Sequence, residues 1–95
     1  MKVLNIGLIE SYYKLHNTAE KPLKAWLTAM KYNKFESPQD IKNQYKSVSI
    51  INNELVVFNI KGNRHRLVVK VKYENEIMLI KWVGLHKDYD KLDLK

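Results

Sequence analysis

Val56-Val57-Phe58-Asn59-Ile60-Lys61-Gly62-Asn63-Arg64-His65-Arg66-Leu67-Val68-Val69 sets two apolar, β-branched runs on either side of a Gly-Asn pair. Gly and Asn tolerate the backbone conformations of a tight reversal, so the pattern predicts a hairpin joining strands Leu55–Ile60 and Leu67–Tyr73. Side chains alternate across a strand. Leu67, Val69, Val71 and Tyr73 therefore face one way, and Arg66, Val68, Lys70 and Lys72 the other. One face can take helices; the other is basic and left open.

Toward the C-terminus, Asn75 predicts a turn into a strand over Ile77–Leu85. That strand is apolar on both sides, Met78, Ile80 and Trp82 against Ile77, Leu79 and Val83, which predicts a central position. Toward the N-terminus, Val48 to Ile51 reads as a strand ending at Asn52-Asn53, where asparagine accepts a positive φ. Ser37-Pro38-Gln39-Asp40 has the chemistry of a helix start, with Ser37 as cap and Asp40 facing the amide dipoles, and this short helix ends near Tyr45. Leu23, Trp26, Leu27 and Met30 follow the spacing of one buried helical stripe. Pro22 then belongs to that helix's first turn, with Asn17 or Thr18 as cap. Leu8, Tyr12 and Leu15 predict an earlier helix ending near His16-Asn17, and Val3 to Ile6 a short opening strand. Periodicity puts both Trp26 and Trp82 in the interior. The expected architecture is α+β in two layers: an N-terminal strand and two to three helices packed on one face of an antiparallel sheet.

The chain has 95 residues, 45% of them hydrophobic, enough for one domain over residues 1–95 with a genuine core. It has no cysteine, which excludes disulfides, thiolate nucleophiles and zinc–thiolate sites. No apolar run reaches the roughly 20 residues of a membrane span. The opening Met1-Lys2-Val3-Leu4-Asn5 lacks the long apolar stretch of a signal peptide, so a cytoplasmic protein with no membrane partner is expected. The formal net charge of +7 favours a polyanionic partner. Residues 61–95 hold nine basic residues against eight in the much longer 1–60 segment. Both arginines of the chain, Arg64 and Arg66, lie at the hairpin turn.

An arginine fixed by a sheet can grip a phosphate through two parallel hydrogen bonds and stabilise charge that builds on it, which makes Arg66 a candidate. His86, where the last strand ends, can exchange a proton near neutrality. Tyr89 and Asp90 follow within one turn, and Tyr89 can stack on a base. The plainer alternatives are an exposed strand-start arginine, a capping histidine and a ring that closes the core. His16, His65 and His86 have no metal-ligand spacing, and no metal or other cofactor is expected.

Val57-Phe58-Asn59-Ile60-Lys61-Gly62-Asn63-Arg64-His65-Arg66-Leu67-Val68 resembles the VFN-x-x-GN-x-xRLV signature of HigB-type toxins, mRNA interferases of the RelE-like superfamily. Lys21-Pro22-Leu23-Lys24-Ala25-Trp26 agrees with it, and Gly84-Leu85-His86-Lys87-Asp88-Tyr89-Asp90-Lys91 is similar to the family's closing TH-x-x-YDK. The resemblance runs nearly end to end. It implies metal-independent, ribosome-dependent cleavage of mRNA, with contacts to ribosomal RNA and neutralisation by a helix-turn-helix antitoxin of the HigA type. It implies Arg66 as phosphate clamp, His86 as general acid and Tyr89 as the group that orients substrate. Lys61, Asn63, Arg64 and His65, with Lys70 and Asp90, are then expected to hold RNA. The chain departs from the pattern at Leu85, where threonine is usual. Asn59 cannot accept a proton at neutral pH, which leaves the general base open between His65 and a group supplied by the ribosome. These roles require the Arg66 guanidinium and the His86 imidazole to share a concavity on the helix-free side. The alternatives are a non-catalytic RNA-binding module and a protein-interaction module.

Overall fold

The computed structural model describes residues 1–62 and 64–92. Among these, five strands form one sheet: β1 (Lys2–Leu4), β2 (Ser49–Ile50), β3 (Leu55–Ile60), β4 (His65–Lys72) and β5 (Ile77–Leu85), in the order β1-β5-β4-β3-β2. The four strands β2 to β5 pair antiparallel as expected. The sheet as a whole is mixed, because β1 lies parallel to β5, with Val3 beside Met78. Asn5 ends β1 in the left-handed region at φ 70, and its side-chain amide donates to the Ile80 carbonyl at 2.9 Å.

The helices are α1 (Ile6–Leu15), α2 (Glu20–Tyr32), α3 (Pro38–Gln44) and α4 (His86–Tyr89), with a 3-10 turn over Asn17–Ala19 between the first two. Leu23, Trp26 and Met30 of α2 are buried, as their spacing predicts. The α2 cap is Ala19, without a side-chain bond, because the 3-10 turn takes up Asn17 and Thr18. Ser37 caps α3 by accepting from the Asp40 amide at 3.3 Å. One core joins Ile9, Leu23, Trp26, Met30 and Ile41 to the sheet's inner face of Val56, Phe58, Leu67, Val69, Val71, Met78 and Ile80.

A β-bulge changes the reading of β5. Val68 pairs with Trp82, but Val69 pairs with Ile80, so Lys81 is an extra residue. One inserted residue reverses the alternation beyond it. Met78 and Ile80 therefore share the core with Val83, while Trp82 sits half-buried on the helix-free face beside Val68. Trp82 is not interior; only Trp26 is. The turns also differ from expectation. Positive φ falls on Lys61, Gly62 and Glu76 rather than on Asn52, Asn53 or Asn75. Asn52 acts through its side chain instead, accepting from the Glu54 and Leu55 amides at 2.9 Å each.

Candidate functional site

Arg66 lies on the helix-free face, between Asn59 of β3 and Gly84 of β5. Its guanidinium carbon sits 4.8 Å from the centre of the Tyr89 ring, and that ring lies 6.3 Å from Trp82. The arginine is thus half-buried and stacked, not a loose strand-start side chain. Its Nε is buried without a hydrogen-bond partner, as is Oδ1 of the facing Asn59, whose amide nitrogen donates to the Ser47 carbonyl at 2.9 Å. Tyr89 reaches this face because α4 starts directly at the end of β5, where the His86 amide donates to the Arg64 carbonyl at 3.1 Å.

Gly84 makes room for the stack. A Cβ there would meet the Trp82 ring at 2.5 Å. Gly84→Ala is therefore expected to push the indole off the face and lose about 1–3 kcal/mol, read as a lower urea midpoint with altered tryptophan fluorescence.

Glu54 compensates the positive charge at the far end of β4. It pairs with Lys72 at 2.5 Å and Lys70 at 3.9 Å. The bond from Lys72 holds its carboxyl below the usual range. Lys70, expected to hold RNA, is thus partly neutralised. Lys61 and Arg64 are exposed at the hairpin turn. Asn63, also expected there, lies outside the described residues.

His86 is half-buried at the start of α4, with Nδ1 3.4 Å from an Asp90 carboxylate oxygen. It borders a depression of about 470 Å³ at the end of the sheet. The other walls are His16 and Thr18 from the α1–α2 connection, Arg64 and His65 from the hairpin, and Leu85 and Lys87 beside His86. Arg66 and His86 do not both line this depression, which Arg66 does not border. They are joined through α4, which carries both His86 and the ring beneath Arg66.

His65 does not share the face of Arg66. Neighbouring residues of a strand point to opposite sides, and His65 is on the helix side, only 1% exposed. Its Nδ1 is 2.6 Å from the Tyr12 hydroxyl, and His16 stacks on Tyr12 with ring centres 4.2 Å apart. This placement sets it apart from a substrate held by Arg66. Sequence reasoning missed Tyr12 and His16; their i, i+4 spacing on one helix face was the available signal.

Burial holds the His65 pKa below its ordinary 6.5, with His16, Arg64 and Lys61 adding to the effect. Below about pH 6.5 the unfolded chain binds a proton that the folded chain refuses. The His65 contribution to stability is therefore complete above that pH and is lost as the pH falls through the lower, folded value. Urea midpoints are expected to fall between pH 7.5 and pH 5, with a shallower fall in His65→Gln.

Among the described residues, no cluster of three His, Cys, Asp or Glu is placed to hold a metal ion. No described helix is long and apolar enough to cross a membrane. No curated protein matches the chain. Residues 19–92, from the end of the 3-10 turn before α2 to three residues past α4, match a sequence model of the HigB_toxin family, described as the RelE-like toxic component of a toxin-antitoxin system. Such a component implies an antitoxin partner. The match takes in the hairpin, β5 and α4 together, and the chain belongs to the HigB family of RelE-like toxins.

Proposed function

We propose that this toxin is a metal-independent endoribonuclease that cuts mRNA on the ribosome. The observation that carries the reading is the clamp at the sheet end: Arg66 held 4.8 Å over Tyr89, with His86 on the same four-residue helix. In this reaction the RNA's own 2′-oxygen loses its proton and attacks the adjacent phosphorus. A 2′,3′-cyclic phosphate forms, the bond from phosphorus to the 5′-oxygen breaks, and that oxygen takes up a proton. The Arg66 guanidinium neutralises charge on the non-bridging oxygens as it builds. The His86 imidazole supplies the leaving-group proton, with Asp90 engaging Nδ1 so that Nε2 is turned to the substrate. Tyr89 orients the strand by stacking. Asn59 does not serve as base, and the ribosome is the source of that group. The antitoxin partner in this reading is a helix-turn-helix protein of the HigA type.

Primer extension on mRNA from cells induced for the toxin tests the reading. New, discrete 5′ ends within translated regions are expected. Full-length message under growth arrest would point instead to a module that binds RNA without cutting it.

A further inference from the structure

The bulge at Lys81 puts a ring on the Arg66 face to which the reaction described above gives no task. Trp82 lies on the helix-free side, half-buried and opposite Val68, which is only 1% exposed. Its ring rests against the backbone of Gly84, where a Cβ would meet it at 2.5 Å. Gly84 is in turn the cross-strand partner of Arg66. Among the described residues Tyr89 is the one ring beside the indole, 6.3 Å away and tilted by 51°, so the two are not stacked face to face. Cover for Val68 would require only an aliphatic side chain. A flat indole that stays partly in solvent is also a surface on which a base can stack.

The order of residues along β5 gives the indole its place. Trp82 precedes Gly84 by two residues and His86 follows it by two, so Trp82 is about 7 Å of strand behind the level of Arg66. With the scissile phosphate at Arg66, His86 is on the leaving-group side. In an in-line displacement the 2′-oxygen attacks from the side opposite the departing 5′-oxygen. The nucleotide that carries the 2′-oxygen therefore lies beyond the phosphate, toward Trp82. We propose that Trp82 is the stacking platform for the base 5′ to the cut, and so orients the ribose whose 2′-oxygen attacks. Its place 5′ to the cut rests on the nuclease reading; its capacity to stack a base does not.

Paired changes in protein and message test the platform. Trp82→Leu keeps an apolar cover on Val68 and should cut mRNA on stalled ribosomes about tenfold more slowly than wild type, with circular dichroism to check folding. Trp82→Phe retains a ring and should recover most of that rate. A message lacking only the base 5′ to a mapped cut, with its 2′-hydroxyl intact, should slow the wild type by a similar factor and Trp82→Leu no further. Loss of the base 3′ to the cut should leave the difference between the two proteins in place. Wild-type rates in Trp82→Leu would overturn the proposal. So would a full deficit of that variant on the message without the 5′ base, which marks the indole as packing alone. A wild type indifferent to the missing 5′ base would overturn it as well, whatever the fold of the variants. Should the wild type leave every message whole, the nuclease reading falls, and binding to ribosomes carrying 2′-O-methylated mRNA decides the rest. About tenfold weaker binding by Trp82→Leu would uphold base stacking, and equal binding would refute it.

Discussion

Arg66→Ala is expected to lower the rate of mRNA cleavage about 10²–10³-fold and to abolish growth arrest, while the chain stays folded. The magnitude follows from what the guanidinium does: it meets charge that exists only as the phosphorane-like state forms, so its loss falls on the chemical step. The fold survives because Arg66 is outside the core cluster and only half-buried. Arg66→Lys should recover little. A lysine brings the charge but not the planar fork, and it packs poorly across the Tyr89 ring that holds the arginine in place. The rates are to be compared in a reconstituted translation system, with circular dichroism to check folding. Wild-type cleavage by Arg66→Ala would remove Arg66 from the mechanism.

The second large effect is at His86. His86→Gln is expected to cost about 10²–10⁴-fold in rate, the usual range for loss of a positioned general acid. A substrate with sulfur in place of the 5′-bridging oxygen separates this role from mere binding. A thiolate leaves without being protonated, so the variant should cut that substrate at nearly the wild-type rate. If the sulfur substrate shows the same deficit, His86 positions the strand and does not donate the proton.

Much of this fold was readable in advance because the signals were local. The limits of β3 and β5 follow from apolar runs bounded by turn residues, and α3 from Ser37, Pro38 and Asp40 in cap order. The errors share a cause: they depend on partners distant in sequence. The parallel pairing of β1 with β5 joins residues about seventy-five positions apart, which no local pattern encodes. The bulge at Lys81 has no Gly or Pro to mark it, yet it moves Trp82 from the expected interior to the face that carries Arg66. That shift explains why Gly84 is needed opposite Arg66, where a side chain would strike the indole.

The candidate site divides in the same way. Arg66 could be placed on the open face by simple alternation, and His86 and Tyr89 at the strand end by counting. The cluster of Tyr12, His16 and His65 could not, because it forms only when α1 lies over the start of β4. His65 was expected to hold RNA from a basic turn, whereas it is buried beneath that helix, and the burial holds its pKa below the ordinary value.

The most direct test of the central claim is the chemistry of the cut ends. Messenger RNA cleaved by the purified toxin on translating ribosomes should carry 2′,3′-cyclic phosphate on each upstream fragment and a 5′-hydroxyl on each downstream one. Ends bearing a 3′-hydroxyl and a 5′-phosphate would show that water, not the RNA's own 2′-oxygen, is the nucleophile, and would contradict the account.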